Sequence, residues 1–181
     1  MRQNWQLWEG ELSEEECNQI IALGLSKPLS GATIFSSSNV YEVEQNFRNT
    51  QICWLSDSYI RNIAMDYIMK ANRAVFNFDV NYLPDLQFGE YSPGSFYDYH
   101  HDIDWKNPSM YDRKLSICIQ LSDPEEYEGG EFQFKSLDSP TNYKTKGSIL
   151  VFPSYNEHQI TEITSGTRYS LVGWMEGPRW R

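Results

Sequence analysis

The chain of 181 residues is long enough for one domain with a real core and too short for two comfortable ones. Its formal charge of −10 argues against a nucleic-acid binder, whose affinity rests on Lys and Arg against phosphates. That charge permits a basic protein substrate, although a soluble acidic surface is the plainer meaning.

The opening "MRQNWQLWEG" has no apolar stretch of the kind that marks a signal peptide, and no run approaches a membrane span. Cys17, Cys53 and Cys118 are odd in number and widely spaced, which fits neither a disulfide framework nor a zinc cluster. Small buried hydrophobes in a reducing compartment are expected, and so is a soluble, cytoplasmic protein.

The first part, to about residue 80, is helical in pattern. "SEEECNQIIALGL" opens on Ser13 three residues before Glu16, a capping box, and places Cys17, Ile20 and Ile21 on one face. "SGATIFSSS" reads as a Ser-rich loop and "TQICWL" as a strand. A second helix spans "SDSYIRNIAMDYIMKANRAVF", capped by Ser56 or Asp57, with Ile60, Ile63, Tyr67 and Ala71 at helical spacing.

From about residue 84 the period changes to two. "LQFGEY" stops at the turn "SPGS", and "KLSICIQLS" sets Leu115, Ile117, Ile119 and Leu121 against Ser116, Cys118 and Gln120. "GGEFQF", "GSILVFP", "HQITEIT" and "TRYSLVGWM" follow as short strands. With 15% aromatic residues favouring pleated surfaces, the expectation is a mostly β sandwich or barrel with flanking helices, forming a single domain over 1–181 with its β core at about 84–176.

In "FYDYHHDIDW", an extended backbone puts His100 and Asp102 on one face and turns His101 away. Alone, such a pair is more often a surface hydrogen bond, and His158 alone is more often a satisfied polar residue. Two histidines and a carboxylate together are the ligand set of facial-triad Fe(II) oxygenases. Ten residues on, Arg168 opens a strand, with Ser170 on the same face; a guanidinium beside a hydroxyl can hold a carboxylate.

The stretches "GEYSPGSFYDYHHD", "RKLSICIQLSDPEEYEGGEFQF" and "GSILVFPSYNEHQITEITSGTRYSLVGW" resemble the prolyl-4-hydroxylase-like 2-oxoglutarate/Fe(II) dioxygenases, especially short bacterial and phage members. The resemblance covers about residues 88–176, and "ELSEEECNQII" looks like the family's leading helix. It implies a double-stranded β-helix, or cupin-like jelly roll. It also implies Fe(II) on His100, Asp102 and His158, and 2-oxoglutarate on Arg168 with Tyr91 nearby. O2 would be the oxidant and ascorbate a helper.

Where some members carry a further tyrosine for 2-oxoglutarate, this chain has Gln120. Gly129-Gly130 reads as a tight turn. Lys144 and Lys146 read as a solvated face. The activity implied is hydroxylation of a C–H bond, first of all in a prolyl residue of a peptide or protein. The alternatives are a small molecule, another residue type, or a catalytically silent jelly-roll binding module; a zinc hydrolase leaves Arg168 without a role. Trp105, Tyr111 and Trp174 could pack a prolyl ring or the core. "DIDWKNPSMYDR", residues 102–113, is expected as a lip over the site, with Asp104 outside the metal shell.

Overall fold

The computed structural model describes residues 3–32, 34–35, 41–42, 48–103, 105 and 109–180. In chain order the first elements are β1 (Gln6–Trp8), α1 (Glu14–Leu25), β2 (Ser30–Gly31), β3 (Ile34–Phe35), β4 (Tyr41–Glu42), β5 (Arg48–Asn49) and β6 (Gln51–Leu55). Then come α2 (Ser58–Ala71), β7 (Leu86–Tyr91), β8 (Phe96–His100), β9 (Tyr111–Gln120), β10 (Tyr127–Gly129) and β11 (Phe132–Phe134). The last are β12 (Ile149–Pro153), β13 (His158–Ile160), β14 (Ile163–Gly166) and β15 (Arg168–Pro178).

Both helices start where local chemistry satisfies their free N–H groups. The Ser13 hydroxyl accepts from the Glu16 amide while the Glu16 carboxylate accepts from the Ser13 amide. Asp57, rather than Ser56, caps α2 by accepting from the Ile60 amide. The α2 pattern runs on through residues 72–76 as a π-type turn, which ends at Asn77 in the left-handed conformation. The Asn72 amide side chain then ties down both the N–H and the carbonyl of Phe78.

The larger antiparallel sheet has the order β1-β12-β9-β15-β7-β6-β2, and a smaller one has the order β11-β13-β8-β5. Leu115, Ile117 and Ile119 of β9, with Leu121 just beyond it, pack with Ile60, Ala64, Ile68 and Phe88 on the helix side of the large sheet. On its other face, Cys118 joins Leu150, Phe152, Tyr91, Phe132, Phe134 and Ile160 between the two sheets. Helices behind one sheet, and a second sheet in front of it, form the expected jelly roll with flanking helices. Because both faces of β9 are covered, even its polar alternates Ser116 and Gln120 are buried.

The helical reading of the first part needs correction. β1 completes the large sheet by pairing Gln6–Trp8 with Val151–Ile149, and β6 pairs throughout with β7. The Ser-rich stretch also contains a strand, since Ser30 and Gly31 pair with Ile52 and Gln51. Two- and three-residue strands carry no readable period; partners distant in sequence make them. "HQITEIT" is two strands, β13 in the small sheet and β14 against β10. Of the anticipated lip, Tyr111–Arg113 belong to β9, held by Pro178–Glu176 of β15. Asp104 and residues 106–108 lie outside the described residues. Among the described residues, no helix is long and apolar enough to cross a membrane, and all three cysteines are free and buried.

Helix α1 lies so close to the large sheet that a Cβ on Gly24 would come within 2.5 Å of the Phe88 ring. Gly24→Ala should therefore destabilise the fold by about 1–3 kcal/mol through overpacking, despite alanine's better helix propensity. Urea unfolding checks this, and a stabilised variant would contradict the packing.

Candidate active site

Among the described residues, one group of side chains has metal-ligand composition and spacing: His100, Asp102 and His158, whose ligand atoms lie within 4.8 Å of one another. Strand register brings them together. His100 ends β8 and His158 opens β13, directly across the ladder from it. Asp102 follows just beyond the strand end, where its amide donates to the Ser154 carbonyl at 2.9 Å.

Each imidazole is oriented by a carbonyl two residues earlier, His100 Nδ1 to Asp98 O at 2.7 Å and His158 Nδ1 to Asn156 O at 2.9 Å. A carbonyl only accepts, so both Nδ1 atoms carry protons and both Nε2 atoms present lone pairs. These Nε2 atoms stand 3.6 and 3.8 Å from the two Asp102 oxygens, too far for hydrogen bonds.

Asp102 Oδ2 already accepts from Ser116 Oγ at 2.5 Å, and that hydroxyl contacts Ser154 Oγ at 2.9 Å. Burial pushes the Asp102 carboxyl up, while positive charge at the histidine positions and the Ser116 hydrogen bond pull it well below the usual carboxylate range. With both imidazoles neutral, that positive charge is what a bound cation would supply. Burial, with His100 beside it, pushes His158 down to about 4. The result is a triangle of acceptors facing one another without a donor between them. A cation answers that arrangement, and two imidazole nitrogens with one carboxylate suit Fe(II).

His101 stands outside the triangle. Its exposed ring accepts from Trp105 Nε1 at 3.2 Å.

The pocket holding the triangle contains about 450 Å³ of empty space, part of it open to solvent. Arg168, Tyr91 and Ser170 also line it. Arg168 starts β15 opposite Tyr91, and its guanidinium carbon lies 5.3 Å from the Tyr91 ring centre. Its side chain is almost fully buried, yet Nε and Nη1 find no hydrogen-bond partner among the described residues. A buried cation with unused donors is costly unless an anion comes to it. Gly130, at φ +62°, leaves room for it: a Cβ there would stand 3.1 Å from Arg168 Cδ and 2.5 Å from Ile163 Cδ1.

Gln120 is turned elsewhere, its amide donating to Ser122 O and Tyr127 Oη. Trp174 lines the pocket with Arg113 stacked over it at 3.9 Å and Trp54 beside it, whereas Trp105 and Tyr111 are exposed. Lys144 pairs with Glu131 at 2.7 Å and Lys146 donates to Asn18, so both hold a loop down rather than face free solvent. Ser116, Ser154, Arg48 and Tyr143 were not singled out by the sequence. For Ser116 the only trace is a polar residue alternating with an apolar strand face; the others become visible through contacts between distant segments.

A model of the 2OG-Fe(II) oxygenase superfamily matches residues 86–176. A curated PKHD-type hydroxylase of Prochlorococcus marinus is 37% identical over 92 residues, covering 50% of this chain and 41% of its own. The chain thus spans about two fifths of the length of the first curated relatives it matches. Another from Rippkaea orientalis is 29% identical over 171 residues, covering 91% of this chain and 75% of its own. Among solved structures, the viral collagen prolyl hydroxylase from Paramecium bursaria Chlorella virus-1, in a 2OG complex, superposes with a TM-score of 0.76 at 19% identity. That superposition covers 97% of each chain. A Pseudomonas putida prolyl-4-hydroxylase gives 0.73 at 20% identity, covering 98% of this chain and 94% of its own. At such identities the likeness is one of fold.

The lowered proton affinity of His158 has a consequence for stability. The unfolded chain protonates this histidine near 6.5 and the folded chain only near 4, so the unfolded state binds more protons in between. Metal-free protein should lose stability as pH falls from about 6.5 to about 4, and His158→Gln should flatten that slope. Denaturant unfolding at a series of pH values measures both; an equal slope in the variant would contradict the buried neutral imidazole.

Proposed function

The chain belongs to the 2OG-Fe(II) oxygenase superfamily, and from that premise we propose that it hydroxylates a C–H bond with Fe(II), 2-oxoglutarate and O2, the target being a prolyl residue of a peptide or protein. The observation that carries this reading is one pocket with two complementary deficits among the described residues: a triangle of acceptors without a cation, and a buried guanidinium without an anion. Curated relatives are named PKHD-type hydroxylases, and a solved prolyl hydroxylase from Trichoplax adhaerens, bound to a peptide fragment, shares the fold at a TM-score of 0.74 and 17% identity. That superposition covers 95% of this chain and 83% of that one.

His100, Asp102 and His158 hold the metal in this reading. Fe(II) bound there, with 2-oxoglutarate and O2, supplies the oxidising power that hydroxylates the substrate as 2-oxoglutarate becomes succinate and CO2. The protein's own contribution is placement. Two neutral imidazoles bring no charge and Asp102 brings one negative charge, so a divalent ion keeps net positive charge toward an incoming dicarboxylate. Ser116 restrains one carboxylate oxygen and leaves the other freer to ligate.

Arg168 receives the distal carboxylate, with Tyr91 and Ser170 lining its approach. Phe132, Ile160 and Val172 keep water from the reacting carbon. Arg48, buried over the Tyr97 ring with no partner for Nε among the described residues, suits a peptide carbonyl. Ascorbate would serve to keep the metal reduced.

Anaerobic addition of Fe(II) and 2-oxoglutarate should produce the visible charge-transfer band of a metal-bound oxoacid. Its absence would sink this reading. In iron titrations, His100→Ala and Asp102→Ala should lose Fe(II) binding, while His101→Ala should retain it; the reverse pattern would move the metal to the other side of the strand. Arg168→Lys should leave iron affinity nearly unchanged and weaken 2-oxoglutarate by roughly 1.5–3 kcal/mol, about ten- to hundredfold, since lysine lacks the planar fork. An unchanged co-substrate affinity would place the carboxylate elsewhere.

A further inference from the structure

Besides Arg168 and Arg48, the pocket wall contains a third residue with a donor that has no partner among the described residues. The Tyr143 ring packs edge-on against Phe132 at 5.4 Å, its side chain is buried, and its hydroxyl has no hydrogen-bond partner among the described residues. Tyr143 and Arg168 both line the pocket and lie within each other's electrostatic reach. Burial pushes the phenol well above its ordinary range, so it is a neutral O–H with a proton to donate. An isolated buried hydroxyl costs free energy, and a phenylalanine would fill the same space without that cost.

The loop that presents Tyr143 is pinned from several sides. Trp5 Nε1 donates to Asp138 O, Asn142 and Thr145 donate to the Glu9 carboxylate, and Lys146 donates to Asn18. Gly147 fits so tightly that a Cβ would stand 2.1 Å from the Leu12 carbonyl oxygen. A phenol on so constrained a loop is held in one place.

We propose that the Tyr143 hydroxyl is a second ligand of the co-substrate's distal carboxylate, donating to one oxygen while Arg168 takes the other. This rests on the oxygenase reading above and assigns a residue that neither strand pattern nor motif indicates. Gln120, spent on Ser122 and Tyr127, leaves that role open. The pair makes the closed end of the pocket selective for 2-oxoacids that carry a second carboxylate at the far end.

The test is anaerobic calorimetry on Fe(II)-loaded protein, titrating 2-oxoglutarate and, separately, 2-oxovalerate, which has the same five-carbon chain without the distal carboxylate. Tyr143→Phe should weaken 2-oxoglutarate about tenfold or more, the loss of one hydrogen bond to a charged group. It should leave 2-oxovalerate unchanged and iron affinity intact. Equal affinity of wild type and variant for 2-oxoglutarate overturns the assignment. So does equal weakening of both ligands, which would mean that the phenol only shapes the wall. Wild-type protein that takes up Fe(II) but binds neither oxoacid overturns the oxygenase reading itself, and this assignment with it.

Discussion

The burial of the Asp102 carboxylate is the constraint around which the rest of the site is arranged. A charge in the interior is tolerated only with partners. Here Ser116 donates to the carboxylate, and Ser154 O holds the Asp102 amide in place. The two imidazole Nε2 atoms at 3.6 and 3.8 Å leave room for a cation to complete the balance. Each partner comes from a different element. Ser116 comes from β9, Ser154 from just beyond β12, and the histidines from β8 and β13. For these to meet, the two sheets must face each other with β8 and β13 in register. The jelly roll is thus what allows one carboxylate to be ionised in the interior, and the tautomers set by Asp98 and Asn156 leave it facing lone pairs rather than protons.

The opposite end of the pocket follows similar logic with the sign reversed. Arg168 is buried among phenol rings, and Gly130 gives up a side chain so that its stem can pass. Cys118 also lines this pocket. Burial dominates in raising its thiol; Asp102 adds to that rise and Arg168 opposes it. The thiol therefore feels both charges. It acts as an inert wall, since a protonated thiol neither ligates nor attacks.

How much of this could be read in the sequence divides along range. The long apolar alternation of β9 and the capping box of α1 are local, and they were legible. β1 and β2 were not, because strands of two or three residues exist only by virtue of distant partners. At the site, the two-residue spacing of His100 and Asp102 is legible in the same way. Their convergence with His158 depends on the β8–β13 register, which no local pattern encodes. Tyr143 is the extreme case. Its loop reads as turn and charge, and its burial comes from tethers to residues 5–18, more than a hundred positions away. Sequence reading finds residues that chemistry marks, and misses ordinary ones that topology delivers to the same place.

That division bears on the role of the first residues. β1 and the start of α1 do not line the pocket, yet they fix the loop that does, through Trp5, Glu9, Leu12 and Asn18. The loop leads directly into β12, whose far end carries Ser154 to Asp102. One run of chain therefore supports both ends of the pocket, the phenol at its start and the serine at its finish. In the proposed reading, the acceptor triangle and the guanidinium both stand on paired strands, so packing sets the distance between a cation and a carboxylate bound to them. A site of that kind discriminates by length as well as charge: a dicarboxylate that satisfies only one end leaves the other buried and unpaired.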